Sequence, residues 1–167
     1  MNVTLILGGA RSGKSRFAES LCKPPRSYIA TAQPFDYEMK LRIAQHRDDR
    51  GAKWNTIEAP LDLVSAFKVA KGDVLLDCLT LWLTNLVMNG KDTEAAVSAL
   101  VEALKATSNK IVIVSNELGL GLVPEHGMSR HFRDQHGLMN QRVAEIAQCV
   151  VFTVAGIPQV IKGQLPE

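Results

Sequence analysis

Cysteine, aromatic side chains and net charge are all scarce in this chain of 167 residues. Its three cysteines, Cys22, Cys78 and Cys149, are far apart and form no C-x-x-C pair. That spacing suggests neither a disulfide framework nor a zinc site. Each lies in an apolar stretch and reads as a small core residue, which fits a reducing cytoplasm. Aromatics at 5% are too few for base-stacking platforms. A net charge of +2 leaves no basic footprint for nucleic acid. No apolar run approaches the ~20 residues of a membrane span. The first residues read as a strand rather than a charged segment ahead of a signal core, so a cytoplasmic protein is expected. With 46% hydrophobic and 22% charged residues, the chain has the balance of an ordinary globular protein. Its length suits a single domain over residues 1–167.

Against that plain background one segment stands out. Gly8-Gly9-Ala10-Arg11-Ser12-Gly13-Lys14-Ser15 fits G-x-x-x-x-G-K-[ST], the phosphate-binding P-loop. The apolar run Asn2 to Leu7 precedes it as a strand, and Ser15 to Leu21 reads as the opening turns of a helix. Glycines there let backbone N–H groups close around phosphate oxygens, and the helix dipole adds positive potential. Lys14 is expected to reach the β- and γ-phosphates, and the Ser15 hydroxyl to ligate Mg²⁺. Without that context the motif is only a glycine turn.

Further along, apolar runs alternate with helical patterns. Ser27–Thr31, Val74–Leu79, Lys110–Ser115 and Cys149–Val154 read as strands, the last three as continuous runs typical of buried parallel strands. Asp36–Asp49, Leu61–Val69, Thr93–Ala106 and Ser129–Gln148 read as helices, with Asp92 as N-cap of the third. This alternation predicts an α/β fold, a mostly parallel central sheet flanked by helices, with ligands at the carboxyl ends of the strands.

A P-loop enzyme needs an acidic residue near its metal at a strand end. Asp77 fits that place and Glu117 competes for it; Asp77 as a cap on the next helix is the plainer alternative. In a helix over 36–49, Arg42, His46 and Arg50 fall at i, i+4 and i+8 on one face. Flanking arginines would keep the His46 imidazole neutral and nucleophilic while attracting a polyphosphate. The same spacing also describes a solvated charged face. His126, His131 and His136, spaced by five, do not share a helix face and make no metal cluster. Arg130 and Arg133 suit an anionic ligand or simply an exposed helix start. Gly119–Pro124 suits a substrate lid or a mere connection.

Taken together these segments resemble the bifunctional adenosylcobinamide kinase / adenosylcobinamide-phosphate guanylyltransferase family. The resemblance runs nearly end to end. It covers the P-loop, Tyr28–Gln33, the Glu38 to His46 stretch, Trp54 with Glu58, and Asp77 through Thr84-Asn85-Leu86. It continues through Ser115-Asn116-Glu117-Leu118-Gly119-Leu120-Gly121-Leu122-Val123-Pro124-Glu125 and Arg130–Arg142. The P-loop is shared by many NTPases; its combination with His46 and the N-E-x-G-x-G-x-V-P-E loop is far more specific.

The resemblance implies a RecA-like P-loop NTPase fold and a homotrimer with its site near a subunit boundary. It implies phosphorylation of adenosylcobinamide by ATP or GTP with Mg²⁺. It then implies attack on the GTP α-phosphate by His46 and passage of GMP to adenosylcobinamide phosphate. Catalysis is implied for His46 and Lys14. Nucleotide contact is implied for Gly8 to Ser15, Thr31, Ala32, Gln33, Arg47, Asp48, Asp49, Arg50, Glu58 and Asp77. Metal binding falls to Ser15 and Asp77. Asp77 departs from the family's best-known member, which has Glu there, one methylene longer. Two other classes remain as alternatives on the P-loop alone. One is a simple small-molecule kinase. The other is a nucleotide switch, against which Asn109-Lys110-Ile111-Val112 lacks the Asp of the guanine-reading Asn-Lys-x-Asp motif.

Overall fold

Strands rich in Val, Ile and Leu on both faces need cover on both faces, and the chain supplies it with one central sheet. The computed structural model describes residues 2–33 and 54–166. The strands are β1 (Asn2–Gly8), β2 (Arg26–Ala30), β3 (Asn55–Glu58), β4 (Asp73–Asp77), β5 (Lys110–Asn116), β6 (Cys149–Val154) and β7 (Ile157–Lys162). The helices are α1 (Lys14–Ser20), α2 (Leu63–Val69), α3 (Leu79–Met88), α4 (Thr93–Ala106) and α5 (Gly127–Ile146). The helix expected over 36–49 lies outside the described residues. The strand order is β3-β2-β4-β5-β1-β6-β7. All neighbours are parallel except β7, which folds back antiparallel on β6.

The two faces divide by the period-2 alternation of strand side chains. Val3, Leu5, Val74, Leu76, Ile111, Ile113 and Val150 face one core with α2 to α5. Ile6, Leu75, Val112, Val114 and Val151 face the other, where α1 packs through Ala18. Each such fully buried side chain contributes about 1.5–3 kcal/mol. Asp92 caps α4 as expected, its Oδ1 accepting from the Ala95 N–H at 3.0 Å.

This arrangement creates a crevice. The chain leaving β1 turns to α1 on one face, and the chain leaving the adjacent β5 turns to α5 on the other. Connections that diverge from neighbouring strands open a gap at their carboxyl ends, where ligands of open α/β sheets bind. Helix α4, with 14 residues and a rise of ~1.5 Å per residue, is long enough by itself to return the chain to the start of β5. Helix α3 lies against the carboxyl ends of the strands, Thr80 Oγ1 accepting from the Asn116 N–H at 3.0 Å and Asn85 Nδ2 donating to Thr31 O at 2.8 Å.

Candidate active site

The P-loop leaves the end of β1 through positions that admit only glycine. A Cβ on Gly8 would lie 2.5 Å from Ser12 Oγ and 2.7 Å from the Thr153 carbonyl oxygen. Gly13 has φ 90° and caps the N-terminus of α1, and a Cβ there would lie 3.1 Å from Gly156 Cα. Positive φ at that crowding is open to glycine alone. The turn between β6 and β7 braces the loop from behind, the Gly156 N–H donating to Ser12 O at 2.8 Å. Lys14 Nζ donates to the Gly9 carbonyl at 3.1 Å, so the lysine folds back over the loop it serves. The first amides of α1 lack intrahelical acceptors. With Lys14 and the Ser15 hydroxyl they form a donor set suited to phosphate oxygens.

The sheet lines up the remaining described site residues along one edge. Gly8 pairs with Asn116, Val114 with Asp77, and Ala30 with both Asp77 and Glu58. The Glu117 N–H donates to Gly8 O at 3.1 Å, which puts Glu117 directly beside the P-loop. Its Oε1 accepts from the Gly119 N–H at 2.6 Å. Asp77 sits one strand further out. It does not cap α3, whose N-cap is Cys78 without a side-chain bond; its Oδ2 accepts from the Tyr28 hydroxyl at 2.9 Å. Thr31 locks the β2 and β4 ends together, its Oγ1 donating to Cys78 O and accepting from Cys78 N–H, both at 2.8 Å. Ala32 and Gln33 follow Thr31 and are half-buried. Glu58 is exposed on edge strand β3, four inter-strand steps or roughly 19 Å from β1. The edge is thus a line, not a single cluster. His46, Arg42, Arg47, Asp48, Asp49 and Arg50 lie outside the described residues.

Sequence patterns missed the groups behind this edge. Buried His136 bonds through Nε2 to Thr80 Oγ1 at 2.9 Å and to Ser115 Oγ at 3.4 Å. Ser115 Oγ donates to Asn140 Oδ1 at 2.7 Å, and Asn140 Nδ2 donates to Asn116 O at 3.0 Å. Thr80 Oγ1 also accepts the Asn116 N–H at 3.0 Å. This network fixes the end of strand β5 where Glu117 emerges, and burial lowers the His136 pKa, favouring neutral imidazole. Only the apolar spacing of α5 hinted that His136 faces inward. Tyr28 stood only inside the Tyr28–Gln33 stretch of the resemblance, with no role attached to it, and Gly156 carried no motif signal at all.

Arg130 and Arg133 are engaged with backbone. Arg130 Nη1 donates to Pro124 O at 3.0 Å and Glu125 O at 2.6 Å. Arg133 Nη1 donates to Leu122 O at 3.0 Å and Gly121 O at 3.4 Å. They hold the loop after β5 against α5. The three cysteines are buried, and burial pushes the Cys22 and Cys78 thiols up to about 12. No described helix is long and apolar enough to cross a membrane.

Comparison with known proteins bears directly on this site. Residues 4–161 match the family model described as cobinamide kinase / cobinamide phosphate guanyltransferase. The chain is 48% identical over 168 residues to the bifunctional adenosylcobalamin biosynthesis protein CobP of Pseudomonas aeruginosa, covering 96% of this chain and 97% of the relative. It is 40% identical over 178 residues to the proteins named CobU in Salmonella typhimurium and Escherichia coli, covering 95% of this chain and 98% of each. With a P-loop in the β1/β5 crevice and matches of this extent, the chain belongs to the cobinamide kinase / cobinamide phosphate guanyltransferase family.

Proposed function

We propose that this protein phosphorylates the aminopropanol hydroxyl of adenosylcobinamide with ATP or GTP, then transfers GMP from GTP to the product. The observation that carries the reading is the P-loop, seated at the carboxyl ends of β1 and β5 in a chain of this family. In the first reaction the loop amides and Lys14 hold the β- and γ-phosphates; the acceptor oxygen attacks the γ-phosphorus in line, the bond to the β–γ bridging oxygen breaks, the nucleoside diphosphate departs and the hydroxyl proton is released. Such chemistry needs mainly positioning and charge stabilisation. Ser15 and Asp77 would hold Mg²⁺, with Glu117 the competing carboxylate; oxygen donors along one edge suit a hard cation. The ion would neutralise charge on the phosphate oxygens.

In the second reaction the His46 imidazole attacks the α-phosphorus of GTP. A P–N bond forms, the bond to the leaving oxygen breaks, and pyrophosphate departs. A phosphate oxygen of adenosylcobinamide phosphate then attacks the same phosphorus and breaks the P–N bond. Adenosylcobinamide-GDP leaves, and His46 is regenerated. Covalent catalysis of this kind divides one hard transfer into two easier ones. Thr31, Ala32, Gln33, Glu58 and Asp77 would line the nucleotide along the sheet edge, with Arg47, Asp48, Asp49 and Arg50 completing its contacts. We assign the fold to the RecA-like group and the assembly to a cytoplasmic homotrimer on the resemblance of the residues.

Mass spectrometry of a reaction containing adenosylcobinamide, GTP and Mg²⁺ tests the assignment. The expected course is adenosylcobinamide phosphate first, then adenosylcobinamide-GDP with release of pyrophosphate. Phosphorylation with no pyrophosphate at any time contradicts the second activity and leaves a simple kinase.

A further inference from the structure

Beside the phosphate loop lies a cavity of about 570 Å³, within the range of small-molecule sites. Three elements of the carboxyl edge build it: Val87 and Met88 from α3, Leu118 and Leu122 from the loop after β5, and Met128 and Phe132 from α5. Leu118 directly follows Glu117, whose N–H is bonded to Gly8, so the cavity begins one residue from the P-loop's flank. Leu122 is 96% exposed and Met128 78%. Large apolar side chains standing open to water beside a site mark a ligand-binding surface. Their positions are set: Arg130 and Arg133 tie the loop carbonyls from Gly121 to Glu125 onto α5. A wall held in place before the ligand arrives costs less to order on binding.

We propose that this cavity seats the apolar flank of the corrinoid acceptor. The inference rests on the function proposed above and assigns that substrate its place. Phosphoryl transfer needs the acceptor oxygen within about 3–3.5 Å of the phosphorus, so the acceptor's body lies immediately beside the loop. A corrin has a methyl-bearing ring carrying amide arms. The cavity matches both parts. Its walls are mostly apolar, and Thr84, Ser129 and Arg133 interrupt them. Thr84 Oγ1 donates to Thr80 O at 2.9 Å and its lone pairs can still accept from an amide N–H. The Arg133 guanidinium carries further N–H donors for an amide oxygen.

The test is equilibrium dialysis of adenosylcobinamide, followed by corrin absorbance, with steady-state kinetics and sedimentation on the same proteins. The variants are Leu122→Glu and Met128→Glu, with Val69→Glu, an exposed position at the end of α2, as control. A charge in the cavity is expected to raise the dissociation constant and KM for adenosylcobinamide at least tenfold. GTP affinity and oligomeric state should stay as in the unaltered protein, and the control should match it throughout. Unchanged corrinoid binding in both variants overturns the assignment while leaving the proposed function standing. Loss of oligomeric state overturns it too and makes this surface a contact between copies. If the unaltered protein neither binds nor phosphorylates adenosylcobinamide, the proposed function falls, and this inference with it.

Discussion

At the scale of single residues, the P-loop owes its path to two glycines rather than to the lysine that makes it recognisable. Gly13 combines φ 90° with a neighbour 3.1 Å from where a Cβ would stand, and that neighbour, Gly156, is itself bonded to Ser12. A left-handed conformation costs a non-glycine residue roughly 1–2 kcal/mol. Gly13→Ala should therefore lower the melting temperature by about 2–8 °C for a chain of this size and weaken GTP binding. A variant with unchanged melting and GTP affinity would contradict the account of the loop. The motif itself was fully legible in the sequence, because its spacing encodes the chemistry. Gly156 was not, because its importance arises from contact with residues more than 140 positions away.

At the scale of elements, legibility followed burial. Strands β4, β5 and β6 read clearly because both their faces are covered, leaving continuous apolar runs. β3 was missed because Asn55-Thr56-Ile57-Glu58 is an edge strand with largely exposed side chains. β7 was missed because every residue of it is exposed. The run expected as a strand through Leu79 ends at Asp77 instead, and Leu79 opens α3. That helix is apolar nearly all round and lacks a side-chain cap, so neither periodicity nor a start signal marks it.

The junction of β5 and α5 carries a pH-dependent element. Burial holds the His136 pKa below its ordinary 6.5, so the unfolded chain binds a proton that the folded one resists. Stability should then be full above about pH 6.5 and fall as pH drops below it. Urea unfolding between pH 5 and 7.5 measures this, and His136→Gln should show a shallower slope across that window. Equal slopes would show that the imidazole does not titrate as described.

At the scale of the whole molecule, the strand order β3-β2-β4-β5-β1-β6-β7 decides what the site can do. It places Glu117 next to the P-loop and Asp77 one strand beyond, and spreads the line to Glu58 across the sheet. Side-chain patterns report how deeply a strand is buried, not which strand lies beside it, so this order was hidden in the sequence. The two-sided cover that defines the sheet also seals the thiols. Cys22, Cys78 and Cys149 are at most 7% exposed, and burial raises all three thiol pKa values. An aromatic disulfide reagent at pH 8 should label none of them in the native protein and all of them after unfolding. Rapid labelling of the folded chain would contradict the packing described.

The proposed function comprises two transfers, and the claim most open to direct test is the covalent one at His46. GTP labelled at its α-phosphate, incubated with the protein and Mg²⁺, should leave a stoichiometric adduct that is acid-labile and base-stable, as a P–N bond requires. His46→Ala should carry no label yet still phosphorylate adenosylcobinamide. Stoichiometric labelling undiminished in His46→Ala would contradict the account.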